Sequence, residues 1–219
     1  MRKASPNKGF FITLEGIEGS GKTSLAARLR GKLAADGFDV VVTAEPGGCP
    51  VSDSIRDLVL CSTNAVSGRA ELLLFEAARA EHVDTKIRPA LERGAIVICD
   101  RFADSSIAYQ GYARGIDLAT VKMLNDYATS GLKPDLTLLL DLPAEAGLAR
   151  HTKSDRISSE RLAFHEAVRN GFLALAAAEN DRIVVLDATK PLEQVAKQAC
   201  DIIEARRMMN AECRMQNNL

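Results

Sequence analysis

The apolar positions of the chain alternate between short, continuous hydrophobic runs and longer stretches of helical period. The continuous runs are Phe10 to Leu14, Phe38 to Thr43, Ala95 to Cys99, Leu136 to Leu140 and Ile183 to Leu186, each bounded by turn or charge signals. Such runs predict strands covered on both faces, as in a parallel sheet. Between them, Lys22 to Ala35, Ala70 to Arg93, Asp117 to Ser130, Ser158 to Glu179 and Leu192 to Met208 predict helices. The alternation points to an α/β fold, a doubly wound, five-stranded parallel sheet with helices on both faces. Right-handed crossovers then gather the strand C-termini, and with them any ligand, along one edge. No internal repeat interrupts the 219 residues, which read as one domain over 1–219 with flexible tails at 1–8 and 209–219.

Composition changes this picture mainly by exclusion. A hydrophobic share of 47% and a charged share of 26% suit a folded domain, not a disordered chain. The longest apolar runs fall far short of the roughly 20 residues that span a bilayer, so no membrane partner is expected. The 28 basic and 29 acidic residues leave a net charge of -1 and no footprint for nucleic acid. The basic N-terminus is followed by too short an apolar stretch for a signal peptide. Five cysteines (Cys49, Cys61, Cys99, Cys200, Cys213) form no C-x-x-C pair, which disfavours zinc and disulfide frameworks and makes the cytoplasm the expected setting. Cys99, inside a strand run, reads as a small inert hydrophobe.

The first strand runs into Gly16-Ile17-Glu18-Gly19-Ser20-Gly21-Lys22-Thr23 and then a helix. This is the G-x-x-x-x-G-K-[ST] pattern in its strand–loop–helix context. Glycines let backbone N–H groups turn inward around a polyphosphate, and the helix N-terminus adds partial positive charge. Lys22 is expected to reach the β/γ-phosphates and the Thr23 hydroxyl to bind Mg²⁺. The loop implies a nucleoside triphosphate but does not name the reaction.

Further chemistry clusters where the topology puts strand ends. Asp100 closes an apolar strand and is expected to hold Mg²⁺ directly or through water, with Arg101 beside it for phosphate; Asp141, at the end of another strand, is its rival. Phe75 and Arg79, four residues apart, share a helix face, a pairing that suits a nucleoside monophosphate. Residues 150–158, with Arg150, Lys153 and Arg156, read as a lid that closes basic groups over the transferring phosphoryl and excludes water. Which of Lys153 and Arg156 reaches phosphate stays open. His82, His151 and His165 show no metal-ligand spacing and receive no role.

Glu45-Pro46-Gly47-Gly48, the Phe75…Arg79 helix, Asp100-Arg101-Phe102, Asp104-Ser105-Ser106-Ile107-Ala108-Tyr109-Gln110-Gly111, the stretch from Asp155 to Phe172, and Asp187-Ala188-Thr189-Lys190-Pro191 follow the phosphate loop in order. Together over roughly residues 10–205 they resemble the thymidylate kinase family, of the P-loop kinase type. The resemblance implies transfer of the γ-phosphoryl of ATP to dTMP with Mg²⁺, giving dTDP, by a homodimer. It implies that Phe75 stacks on thymine, that Arg79 contacts the base or the acceptor phosphate, and that Gln110 bonds the base edge. Ser106 would lie near the base, Tyr109 beside the deoxyribose, and Glu18 would face that sugar. Glu45 joins the substrate site, Arg56 and Arg101 would hold phosphates, and Arg150 would lie against adenine. Lys22, Arg101, Glu18, Asp100 and Arg156 form the implied catalytic set.

The chemistry agrees independently. A phosphate monoester, with its second pKa near 6, is already an anionic nucleophile. Abundant arginines without a nucleophilic dyad are what direct in-line transfer needs. Four positions depart from the commonest family pattern: Ala44 stands for arginine, Cys49 for threonine, Ala78 for a polar residue and Phe102 for tyrosine. The lid is also short. Apolar helices such as Val83 to Leu91 and Leu118 to Tyr127 are candidates for the dimer contact.

Overall fold

In a computed structural model, residues 9–216 are described apart from 62, 64 and 152–154, with side chains described through Asn210. Five strands, β1 (Phe10–Glu15), β2 (Val40–Ala44), β3 (Ile96–Asp100), β4 (Leu136–Asp141) and β5 (Ile183–Asp187), form one sheet in the order β2-β3-β1-β4-β5. All neighbours are parallel; Phe10 registers with Ile96, and Ile12 with Leu136. The strand boundaries fall within two residues of those expected. β1 lies between β3 and β4, so strand order reverses beside it, where open α/β sheets bind ligands.

Nine α-helices accompany the sheet among the described residues: α1 (Lys22–Ala35), α2 (Pro50–Leu60), α3 (Gly68–His82), α4 (Arg88–Glu92), α5 (Ala103–Ser106), α6 (Leu118–Thr129), α7 (Ala144–Arg150), α8 (Leu162–Ala178) and α9 (Leu192–Gln216). Two π-helical stretches join neighbours, Val83–Ile87 between α3 and α4, and Ile107–Ala113 after α5. Such wide turns often mark functional sites. α9 continues through residues 209–216, assigned from sequence to a tail, because no glycine or proline interrupts it before Gln216. α8 starts at Leu162 rather than Ser158: the side chain of Asp155 accepts from the backbone N–H groups of Ile157 and Ser158 and holds a turn there.

The sheet separates two apolar clusters. Phe10, Ile12 and Leu14 pack with Leu25, Leu29, Leu138 and Phe172 on one face; Phe11 packs with Val97, Cys99, Phe102, Val83 and Ile87 on the other. The second face is less uniformly apolar than the strand runs suggested. The buried Thr13 meets Thr137 at 2.7 Å, and Arg182 bonds Thr137 and both carboxylate oxygens of Asp104. No described helix is long and apolar enough to cross a membrane.

Candidate active site

The loop from Gly16 to Gly21 joins β1 to α1. Gly21, which opens α1, has φ +92°, where a side chain is strained, and Gly19, at φ +70°, has the carbonyl oxygen of Gly147 where a Cβ would stand. Lys22 folds back over the loop, donating from Nζ to the carbonyls of Gly16 (2.9 Å) and Ile17 (2.8 Å) and to Ser20 Oγ (3.2 Å). Burial and the neighbouring Arg101 push its pKa down to about 8. Thr23 Oγ1 donates to Asp100 Oδ2 at 2.7 Å, so a hydroxyl from α1 and a carboxylate from β3 stand together at the loop. These are the oxygen donors that a hard divalent cation such as Mg²⁺ takes. The rival Asp141 has both oxygens bound by Arg169, at 2.7 and 2.8 Å.

After β3 the chain turns sharply at Arg101, whose backbone is left-handed at φ +72°. A buried carboxyl group secures the turn: Glu15, at the end of β1, accepts from the Phe102 N–H (2.8 Å) and the Ser105 hydroxyl (2.6 Å). Burial and Asp104 push the Glu15 pKa upward. Arg101 then reaches across the loop, donating to the Gly16 carbonyl (2.9 Å) and Glu18 (3.0 Å) and lying 4.9 Å from the Tyr109 ring centroid. Glu18 also accepts from the Tyr109 hydroxyl (2.7 Å) and faces His165 Nδ1 at 3.1 Å. Burial alone would raise its pKa, but Arg101, His165, Lys22 and Tyr109 outweigh it and hold Glu18 well below the usual carboxylate range.

On the other side of the cleft, α3 presents Glu71, Phe75 and Arg79 at successive four-residue steps, hence along one face. Arg79 is 3% exposed and donates to Glu45 (2.8 Å), Glu76 (2.7 Å), Ser106 (3.0 Å), Asn125 (2.7 Å) and the Phe102 carbonyl (3.2 Å). Its two carboxylate partners, Glu45 and Glu76, balance its charge within the protein. Glu45 is buried and bonded to Arg79 and His82, so it orders its neighbours at the edge of the cleft. His82, completely buried, bonds Thr43 at 2.7 Å. Cys99 lies close to Glu45 and His82, but it donates to the Arg101 carbonyl and burial pushes its thiol pKa well up, as befits an inert packing residue. Gln110, on the second π-helical stretch, donates from Nε2 to Glu71 at 2.8 Å.

One cleft of about 1100 Å³ is lined by the two groups together: Glu18, Gly19, Gly21, Lys22, Thr23, Asp100 and Arg101 with Phe75, Arg79, Ser106, Tyr109 and Gln110. Glu45, Arg56 and Arg150 line it too; Arg56 donates to the Pro46 carbonyl and Arg150 to that of Ala188. Gly16, Ile17 and Ser20 complete the loop behind Lys22. Arg156 is not brought in. It donates to Glu71 (2.6 Å) and the Val59 carbonyl (2.8 Å), drawn aside by a buried carboxylate that sequence reasoning did not consider. Lys153, the alternative lid residue, lies outside the described residues.

Lys86, bonded to the Gly48 carbonyl at 2.9 Å, is a cleft cation that the sequence reading missed, and it stands by the loop that follows Ala44. Its spacing of seven from Arg79, two helical turns, was the available signal. The other departures have local reasons. Phe102 is fully buried edge-on to Phe11, where a tyrosine hydroxyl would need a partner; Ala78 is buried with its carbonyl accepting from Ser52. Cys49 Sγ lies 3.0 Å from that same Ser52 Oγ.

The model of the thymidylate kinase family matches residues 14–199. The chain belongs to the thymidylate kinase family. Family members include a thymidylate kinase of Syntrophotalea carbinolica, 50% identical over 196 residues, covering 85% of this chain and 91% of that protein. One of Pseudomonas fluorescens is 51% identical over 191 residues, covering 85% and 91%. The crystal structure of the thymidylate kinase from Ehrlichia chaffeensis superposes with a TM-score of 0.74 at 34% identity, covering 90% of this chain and 98% of that one. Family membership makes the chain an enzyme of the kinase type, and the five-stranded parallel sheet is the fold it shares with the solved structure.

Proposed function

We propose that the enzyme moves the γ-phosphoryl group of ATP onto dTMP, giving dTDP and ADP, by direct in-line transfer. The observation that carries this reading is the single cleft in which a phosphate loop and an aromatic, amide-bearing pocket face the same space. ATP phosphates lie in the glycine loop against its backbone N–H groups, with Lys22 leaving the loop carbonyls for the β/γ-phosphates. Thr23 and Asp100 hold Mg²⁺, which when bound neutralises charge on the phosphates. Arg150 lies against adenine.

The acceptor needs no general base, since its phosphate is already anionic near neutral pH. Catalysis is therefore positioning and charge neutralisation. Phe75 stacks on the thymine ring, Arg79 and Gln110 read its edge with Ser106 nearby, and Tyr109 packs beside the deoxyribose facing Glu18. Arg101 and Arg56 hold the acceptor phosphate, aided by Lys86 where Ala44 supplies no charge. The 150–158 segment closes as a lid and keeps water out. On this reading Arg156 must leave Glu71 before it can touch phosphate.

The enzyme works as a single-domain cytoplasmic homodimer. Of the two apolar helices named as contacts, Val83, Ile87 and Ala90 are core residues, whereas Met123 and Tyr127 on α6 stand 60% and 86% exposed. A patch of that kind favours α6 for the contact. The test is a coupled ADP-release assay with ATP, Mg²⁺ and a panel of nucleoside monophosphates, with Lys22→Ala as control. Fast turnover of dTMP that Lys22→Ala abolishes is expected. Turnover of a different acceptor instead would overturn the pocket assignment while sparing the phosphate loop.

A further inference from the structure

We propose that Glu71, which does not line the cleft, is a positioning residue that sets base specificity by fixing which end of the Gln110 amide is offered to the base. This rests on the dTMP reading and deepens it. Glu71 lies one helical turn before Phe75 and is 1% exposed. Its Oε1 accepts from Gln110 Nε2 (2.8 Å) and Arg114 Nε (3.3 Å), and its Oε2 from Arg156 (2.6 Å) and the second Arg114 nitrogen (3.2 Å). Burial alone would raise its pKa, but Gln110, Arg156 and Arg114 outweigh that and keep it lowered, and Gln110 and Arg114 stay on it when Arg156 leaves for phosphate. It therefore stays ionised.

An ionised carboxylate only accepts hydrogen bonds. Gln110 must turn its NH₂ toward Glu71, because the flipped amide would set oxygen against oxygen in a buried site. The amide oxygen, which no donor engages among the described residues, is the group left for the cleft that Gln110 and Phe75 both line. Arg79, one turn beyond Phe75, can only donate. An acceptor beside a donor complements the imide edge of thymine or uracil, where an N3–H adjoins a carbonyl. Cytosine reverses the pair, with an unprotonated N3 beside an amino group. A site built to bond one pattern rejects the other strongly, because its buried groups are left unpaired.

This separates two kinds of discrimination. dTMP and dUMP share the imide edge, so Glu71 has no lever on their ratio, which depends on one methyl group. dTMP and dCMP differ at that edge, so Glu71 governs theirs.

The experiment measures kcat/KM for dTMP, dUMP and dCMP in the full-length enzyme and in Glu71→Gln, whose amide can donate and so permits Gln110 to flip. The dTMP-to-dCMP ratio is expected to fall at least tenfold while the dTMP-to-dUMP ratio stays within twofold. The double variant Glu71→Gln with Gln110→Glu puts an acceptor-only oxygen at position 110 back into the cleft, and is expected to recover the ratio to dCMP. Should Glu71→Gln fold poorly by thermal melt, Glu71→Asp, which still only accepts, is expected to keep the discrimination. If all three substrates decline together, or if the double variant is folded but recovers nothing, Glu71 is structural and the proposal falls. A wild-type enzyme that turns over none of the three refutes the dTMP reading itself, a result distinct from either.

Discussion

The phosphate-binding loop and the pocket around Phe75 face one cleft but are built by opposite means. The loop is made of backbone: glycines at positive φ, carbonyls that hold Lys22, and the first turn of α1, all within Gly16 to Thr23. The pocket is made of buried charge drawn from distant segments, with Glu45, Glu76, Arg79, Ser106 and Asn125 in one network and Glu71, Gln110, Arg114 and Arg156 in another. A local backbone motif can lose a side chain and keep its shape. A buried network cannot, because each member is the counter-charge or the hydrogen-bond partner of another.

The largest effect expected from that contrast is on stability, at Arg79. Replacing it with leucine strands Glu45 and Glu76 without their cation and is expected to cost roughly 3–5 kcal/mol, seen as a lower midpoint in urea. Lys22→Ala is expected to do the reverse, cutting turnover about 100- to 1000-fold while leaving the urea midpoint nearly unmoved. Equal losses of stability in the two variants would erase the distinction.

A third test uses pH. With the Lys22 pKa held down to about 8, its charge is lost above that value, so kcat/KM for ATP, which reports the free enzyme, is expected to decline above about pH 8. Glu15 carries a raised pKa, so the folded state keeps its proton where the unfolded chain has lost it. The stability it contributes is full below the ordinary carboxyl range and fades as pH rises through the folded value. Glu15→Gln has no such slope, and its melting temperature is expected to gain on the wild type as pH rises. The smallest effect is expected at Ala44→Arg: one added cation at the cleft, worth about 0.2–1 kcal/mol at an exposed site, is expected to lower the KM for dTMP a few-fold.

The same contrast explains what could be read from sequence. Strands such as Leu136–Asp141 announce themselves because a sheet covered on both faces demands uninterrupted apolar runs, and the loop does so because its glycines and Lys22 are contiguous. Glu71 and Glu76 flank Leu72-Leu73-Leu74-Phe75, and a charge on a helix ordinarily reads as its solvated side. Arg79 lies three residues from Glu76 on the same helix, but only tertiary structure reveals that the partners of Glu71 are Gln110, Arg114 and Arg156. The choice between Lys153 and Arg156 stays open in the sequence for the same reason: the carboxylate that holds Arg156 is 85 residues away. His165, given no role, faces Glu18 from 147 residues off.

The position of β1 in the middle of the sheet bears on how the molecule is made. β1 leaves the ribosome first among the strands, yet its neighbours are β3 and β4, and α1 must also wait for α9 to cover it. At roughly 5–20 residues per second, the wait between β1 and β4 is on the order of ten seconds. For the part of that interval before β3 is made, Phe10-Phe11-Ile12-Thr13-Leu14, wholly buried in the finished fold, has no neighbouring strand to pair with. The glycine loop, synthesised early, thus waits on strands made much later for its flanking support, and until β3 arrives the nascent chain carries an unpaired apolar strand.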